Sequence, residues 1–162
     1  CEKLKPGKDY GPMKSIEYLN ILTNRLHEAV EQGASLVSGG KRIHRKGYFF
    51  EPTIVSHATK FSRLMREETF GPVVAVTIVP DAEKAVQEIN DSLYGLHAVV
   101  LSSNKKRALQ LAHRIQTAQV FINALPDMIP FCSWNGFKDS GFGSLLGANC
   151  LAAFTKPKHV FG

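Results

Sequence analysis

Two adjacent carboxylates followed by an aromatic ring and a chain bend occupy residues 67–72, where the sequence reads Glu-Glu-Thr-Phe-Gly-Pro. Acidic side chains are rarely buried without a partner, and proline ends regular structure, so this motif is unusual directly before an apolar strand. A ligand-binding edge would explain it. The alternative is a solvated last helical turn, residues 63–68, that Gly71 and Pro72 stop. On the residue pattern alone the second interpretation is favoured.

The other nucleophilic and metal-ligating side chains form no complete set. Cys132 could act as a nucleophile, but without an identifiable histidine partner an inert thiol is the favoured interpretation. Cys1, Cys132 and Cys150 have no paired ligand spacing, and one is left over from any disulfide, which favours a reducing, intracellular compartment and no metal site. His97 and His113 are interpreted as structural or exposed.

Composition favours a globular domain, with 162 residues, 44% hydrophobic and 21% charged. No run approaches the roughly 18 apolar residues of a membrane span, and the first residues lack the apolar part of a signal peptide. The chain starts at Cys1 without an initiator methionine, as expected if it begins inside a longer protein. The net charge of +6 raises a nucleic-acid hypothesis. However, the densest basic run, residues 41–46, lies between glycines without interleaved aromatics, so no nucleic-acid partner is predicted.

The elements that must position the acidic motif begin with an amphipathic helix over residues 16–30, with Ser15 as cap and Gly33 just past its end. Its charged residues, including Arg25, are predicted to face outward. Strands are predicted over residues 35–38 and 48–55, and a short helical approach over 59–68.

Residues 73–79 form a nearly unbroken apolar, β-branched run, which predicts a strand buried on both faces. Asp81 and Asn104 are predicted to cap two further helices, residues 94–96 to form a turn, and residues 97–101 and 120–122 to form strands. This alternation predicts an α/β fold with a mainly parallel sheet, helices on both faces and right-handed crossovers.

The last forty residues are rich in glycine. Gly141-Phe142-Gly143 is not a dinucleotide fingerprint, because no strand precedes it and no acidic residue follows at the required distance. Residues 152–161 are predicted to end the chain as an extended strand, held at an edge by Pro157, that offers unpaired backbone groups to a partner.

Several motifs in a fixed order together resemble the carboxyl-terminal part of the NAD(P)-dependent aldehyde dehydrogenases. The resemblance runs from about residue 11 to residue 160. The matching segments are Glu67-Glu68-Thr69-Phe70-Gly71-Pro72-Val73, Asn90-Asp91-Ser92-Leu93-Tyr94-Gly95-Leu96 and Gly136-Phe137-Lys138-Asp139-Ser140-Gly141, with Ser38-Gly39-Gly40, Pro52-Thr53 and Val120-Phe121-Ile122-Asn123.

The resemblance implies that residues 1–150 are most of a catalytic domain and that residues 151–162 are a terminal oligomerisation strand of a homodimer or homotetramer. It implies that Glu68 holds a ribose of NAD or NADP and that Phe70 lies against the nicotinamide. The cysteine nucleophile and the glutamate base of the family are expected upstream of Cys1, and so is the domain that binds most of the cofactor. The chain by itself is therefore expected to be inactive on aldehydes.

Two segments depart from the family pattern. Ser133-Trp134-Asn135 stands where the family usually has Pro-Phe-Gly, so Trp134 would replace a substrate-pocket phenylalanine unless Phe131 plays that part. Ser144-Leu145 stands where Arg-Glu is common, which puts a proton relay in doubt. Two hypotheses follow, a part of an active aldehyde dehydrogenase and a non-catalytic relative that serves as a binding or assembly module.

Overall fold

A computed structural model describes residues 4–162 of the chain. The chain divides into two compact units whose boundary falls between Ile78 and Val79. No helix in residues 4–162 has the length and apolar character needed to cross a membrane.

The first unit is built on helix α1, Ile16–Glu31, as the periodicity predicted. Its buried stripe is Leu19, Leu22, Leu26 and Ala29. Gly33 follows the helix with φ +100°, a left-handed conformation that glycine adopts without strain, and its N–H bonds to the Val30 carbonyl. The predicted Ser15 side-chain cap is wrong, because the Ser15 hydroxyl donates to the Glu17 carboxylate instead.

A three-stranded sheet packs against this stripe. Strands β1, Ser35–Ser38, and β2, Thr53–Ser56, are antiparallel, and β2 is parallel to β3, Val73–Val76. The one-turn helix α2, Arg63–Arg66, lies between β2 and β3 in the chain. The predicted burial of β3 on both faces is wrong, because burial alternates: Val73 and Ala75 pack against the core, whereas Val74 is 59% exposed.

The second unit contains helices α3, Ala82–Asn90, and α4, Lys105–Ala112, and the parallel strands β5, His97–Val100, and β6, Gln119–Ile122. Both predicted caps are confirmed: the Asp81 carboxylate accepts from Lys84 N at 2.8 Å, and the Asn104 side chain accepts from Arg107 N at 3.0 Å.

Residues 94–96 do not form the predicted turn. Tyr94–Gly95 is strand β4 and pairs antiparallel with β7, Phe137–Lys138. The pairing tolerates no larger residue at position 95, since a Cβ on Gly95 would lie 2.7 Å from the Gln116 carbonyl oxygen. The sequence pattern at Gly95 predicted a turn, but close backbone approach explains this glycine.

The α/β class with parallel pairing is confirmed, but the strands of residues 4–162 form three small sheets instead of one. The predicted extended segment over 152–161 is wrong at its start, because Ala148–Phe154 is a 3-10 helix. Residues 155–162 carry no strand assignment, since a strand is defined by its pairing and none of the described residues pairs with them. An oligomerisation role for residues 151–162 stays a prediction.

Candidate functional site

The acidic motif is an extended connection between α2 and β3. Helix α2 ends at Arg66, and Glu67 already has β-region backbone angles, φ −105° and ψ 145°. At the other end, Thr53 N donates to the Pro72 carbonyl at 2.8 Å. Gly71 packs closely on the core, because a Cβ there would lie 2.9 Å from Leu22 Cδ2. The helix therefore stops before the motif, and Glu67 and Glu68 are not part of a last helical turn.

Arg25 is the residue that sequence interpretation missed. It was predicted to face outward from α1, yet its side chain is only 11% exposed. Its Nη1 donates to the Glu68 carbonyl at 2.7 Å and to Thr69 Oγ1 at 2.9 Å, and its Nη2 pairs with the Glu67 carboxylate. The available signal was its place on α1, three residues from Leu22 and next to Leu26 in the buried stripe.

Glu67 is engaged by two arginines. Arg63 donates to it from Nε at 2.8 Å and from Nη2 at 3.1 Å, in addition to the Arg25 pair. The hydrogen bond from Arg63, followed by the positive charges of Arg25 and Arg63, holds the pKa of Glu67 below its ordinary value of 4.5. Glu67 is therefore a bridging anion between α1 and α2.

Glu68 and Phe70, the two predicted cofactor residues, are brought together at the surface of the first unit. Both are exposed, Phe70 by 66%, and no hydrogen bond or ion pair with the described residues engages the Glu68 carboxylate. They border a cavity of about 280 Å³ whose other lining residues are Tyr18, Ile21, Leu22, Arg25 and Thr69. The site thus combines an available carboxylate, a flat ring and an apolar floor, which suits a ligand that has both hydroxyl groups and an aromatic ring.

Phe70 also borders a second, more open cavity of about 600 Å³ in the same unit. Its other lining residues are Tyr10, Gly11, Pro12, Met13, Lys14, Tyr18, Gly71 and Pro72. Phe70 and Tyr18 therefore line both cavities.

The two predicted substrate-pocket residues belong to the second unit and differ in burial and in contacts. Trp134 is half-buried, and it exchanges backbone hydrogen bonds with Leu145 at 2.6 and 2.8 Å. Its ring centroid lies 5.7 Å from that of His97. Phe131, by contrast, is 91% exposed. Of the two residues, only Trp134 is therefore held in place by contacts with described residues.

The two cysteines within residues 4–162 form no disulfide. Cys132 is exposed and free, Cys150 is free, and Cys1 lies outside the described residues. Within residues 4–162, no cluster of three or more histidine, cysteine, aspartate or glutamate side chains could hold a metal ion.

Comparison with known proteins identifies the family. The sequence model described as "Aldehyde dehydrogenase family" matches residues 2–160. The chain belongs to the aldehyde dehydrogenase family. Among sequence relatives, it is 35% identical over 164 residues to the mitochondrial aldehyde dehydrogenase of Leishmania tarentolae, covering 99% of this chain and 33% of the relative. It is also 35% identical over 155 residues to the betaine aldehyde dehydrogenase of Bacillus subtilis, covering 93% and 32%.

Solved structures of the family have the same fold. The chain superposes on the NAD+ complex of Staphylococcus aureus betaine aldehyde dehydrogenase with a TM-score of 0.84, at 33% identity, covering 93% of this chain and 32% of that one. A mutant aldehyde dehydrogenase of Bacillus cereus gives 0.89 at 32% identity, covering 94% and 32%. This aldehyde dehydrogenase chain spans about a third of the length of the relatives named here.

Proposed function

We propose that the protein containing this chain oxidises an aldehyde to a carboxylic acid with NAD+ or NADP+. The observation that carries the proposal is the state of residues 67–70: Glu67 is held by two arginines, whereas the Glu68 carboxylate and the Phe70 ring are exposed at one cavity. Membership of the aldehyde dehydrogenase family supplies the reaction class.

In this proposal Glu68 accepts hydrogen bonds from the two hydroxyls of a cofactor ribose, and Phe70 lies against the nicotinamide. A carboxylate with two acceptor oxygens suits a vicinal diol, and an exposed ring suits a flat heterocycle. A bound nicotinamide cofactor supplies the hydride acceptor of the reaction. The chain's own contribution is to fix the position and tilt of the nicotinamide ring, which faces the substrate in this proposal.

On the substrate side, we assign the pocket wall to Trp134. The reciprocal bonds with Leu145 fix its backbone, and His97 limits the tilt of its ring. Phe131 is not supported in this way and is a secondary candidate.

The remaining chemistry is assigned to sequence outside the chain. The cysteine that forms a thioester with the substrate and the glutamate that activates water are placed upstream of Cys1, together with most of the cofactor-binding surface. Residues 151–162 are proposed to join two copies of the protein. Neither nucleic acid nor a metal ion has a part in the proposal.

The alternative is a non-catalytic relative that keeps the fold as a binding or assembly module. The observation that favours it is that Trp134 and Leu145, the two departures from the family pattern, are direct partners. A repacked segment of this kind could serve binding without turnover.

The test compares the natural gene product that contains residues 1–162 with the 162-residue chain alone. Both are assayed for reduction of NAD+ and NADP+ with betaine aldehyde, succinate semialdehyde and a simple aliphatic aldehyde, the first two being named in relatives of this chain. The gene product is expected to reduce cofactor with at least one aldehyde, and the isolated chain with none. A gene product that binds NAD+ but oxidises no aldehyde would support the alternative.

A further inference from the structure

Arg25 makes three contacts with three consecutive residues that are more than forty positions away in the chain. The bonds go to the Glu67 carboxylate, the Glu68 carbonyl oxygen and Thr69 Oγ1. None of the three uses the Glu68 carboxylate or the Phe70 ring. The guanidinium therefore binds the Glu68 backbone and the side chains of Glu67 and Thr69, and it leaves the two candidate cofactor contacts available.

We propose that Arg25 is a positioning residue for cofactor binding: it holds residues 67–69 on helix α1 and so sets the direction of the Glu68 carboxylate and the Phe70 ring. The inference rests on the proposed function of Glu68 and Phe70. It adds to that function a residue that touches neither ribose nor nicotinamide in the proposal.

Anchoring at both ends makes the segment rigid. On one side, the bond to the Glu68 carbonyl fixes the peptide plane that leads into Thr69. On the other, Thr53 N holds the Pro72 carbonyl, and Gly71 packs on Leu22 and Met13. Phe70 lies between these two anchors, so loss of the Arg25 bonds would free the backbone on the Glu68 side while β3 stays attached.

The residue type matters because the three acceptors are of different kinds. A planar guanidinium has five N–H donors in a fixed fork and can bond a carboxylate, a carbonyl and a hydroxyl together. A lysine ammonium is a compact charge with no fixed fork and would not reproduce this arrangement. The bonds from Arg25 to Thr69 and Glu67 are partly buried, which strengthens them because hydrogen bonds are electrostatically stronger in a low-dielectric environment.

Arg63 provides a matched control within the same cluster. It also pairs with Glu67, through Nε and Nη2, but no bond joins it to Glu68 or Thr69. Arg63→Gln therefore removes one cation from Glu67 and leaves the grip on the following residues intact. A general effect of losing positive charge beside the motif would appear in both variants, and a positioning effect in Arg25→Gln alone.

The experiment is a double-mutant cycle in the full gene product, with Arg25→Gln, Glu68→Gln and the double variant, and with Arg63→Gln as control. NAD+ affinity is measured by fluorescence titration, and KM is measured separately for NAD+ and for the aldehyde. Arg25→Gln is expected to weaken NAD+ binding by about 10-fold, which corresponds to about 1.4 kcal/mol. In Arg25→Gln, the KM for the aldehyde is expected to change less than about 2-fold. In Arg63→Gln, the NAD+ affinity is expected to change less than about 2-fold, because Arg63 makes no bond to Glu68 or Thr69.

The decisive measurement is the NAD+ affinity of the variant that carries both Arg25→Gln and Glu68→Gln. If Arg25 acts through Glu68, then adding Arg25→Gln to Glu68→Gln costs at most about 3-fold more, because the effects of coupled residues do not multiply. Full multiplication of the two effects, or normal NAD+ affinity in Arg25→Gln, would overturn the proposal. Should Arg25→Gln fail to fold, the same cycle is run with Arg25→Lys, which keeps the charge and loses the fork.

Amide hydrogen exchange separates this inference from the proposed function. Faster exchange at residues 67–70 in Arg25→Gln, with α1 unchanged, is expected whether or not the protein turns over aldehydes. If the wild-type protein neither binds nor reduces NAD+, the proposed function fails and Arg25 is left with a purely structural grip. If it does bind NAD+ but exchange at 67–70 is unaltered in the variant, the positioning role alone is refuted.

Discussion

Replacing Glu68 by glutamine isolates the contribution of one carboxylate to cofactor binding. The substitution keeps the size and shape of the side chain, removes its charge and converts one acceptor oxygen into a donor. The Glu68 side chain makes no hydrogen bond or ion pair with the described residues, and only its backbone carbonyl is engaged, by Arg25. The variant should therefore fold and unfold like the parent protein, with a Tm change close to zero.

The expected loss of affinity follows from the bonds that the carboxylate would make. Hydrogen bonds to a charged group contribute about 1.5–3 kcal/mol, more than neutral ones. Glutamine can still accept one hydroxyl bond through its amide oxygen, so the lower half of that range is expected, about 1.5–2 kcal/mol. This corresponds to a roughly 10- to 30-fold weaker NAD+ affinity.

The assay is a titration of the full gene product with NAD+, together with KM and kcat for the cofactor and a thermal melt. Glu31→Gln serves as the control, because Glu31 is exposed at the end of α1, in the same unit, and the substitution makes the same change of charge. Only Glu68→Gln should change the cofactor parameters. Unchanged NAD+ affinity and turnover in Glu68→Gln would remove this residue from the site, and an equal loss in Glu31→Gln would show a long-range charge effect.

Three further outcomes are expected. Phe70→Leu should leave Tm nearly unchanged because the ring is 66% exposed, but should lower kcat for cofactor reduction by about 10-fold if the ring orients the nicotinamide; an unchanged kcat would refute that role. Leu22→Ala, at a position 1% exposed in the core, should lower the free energy of unfolding by about 2–5 kcal/mol in urea titration, and a loss below about 1 kcal/mol would contradict the packing described. Glu67 has a pKa lowered from 4.5 by Arg63 and Arg25, so its stabilising effect is present above pH 4.5 and lost as pH falls through the depressed value. Urea unfolding at a series of acidic pH values should show a smaller loss of stability in Glu67→Gln than in the parent, since the lowered pKa values of Glu17 and Glu83 act in both proteins.

Local sequence signals predicted the elements whose causes are local. Helix α1 ends before Gly33, and Asp81 and Asn104 cap α3 and α4, because a cap or a left-handed residue acts within one helical turn. Arg25 was misplaced for the opposite reason. Its partners lie more than forty residues along the chain, and an arginine next to a buried stripe has the same sequence pattern whether it faces solvent or a neighbouring segment.

The apolar run at 73–79 shows the limit of composition as a guide to burial. The sequence is apolar at successive positions, yet strand β3 ends at Val76 and only alternate residues pack on the core of the first unit. Exposed apolar residues, among them Val74, Val76 and Ile78, follow from this pattern. An apolar run in the sequence therefore does not determine how many faces of the strand the surrounding elements cover.

The two segments expected to depart from the family pattern meet in the structure. Trp134 and Leu145 are eleven positions apart in the sequence but form an antiparallel pair with reciprocal backbone hydrogen bonds. Side chains of directly opposed residues interact across such a pair. The segments that contain Trp134 and Leu145 are therefore neighbours at one backbone pair. Because both bonds join backbone groups, every residue type except proline keeps the donors and acceptors of this pair, so side chains that differ from the expected pattern are compatible with the pairing.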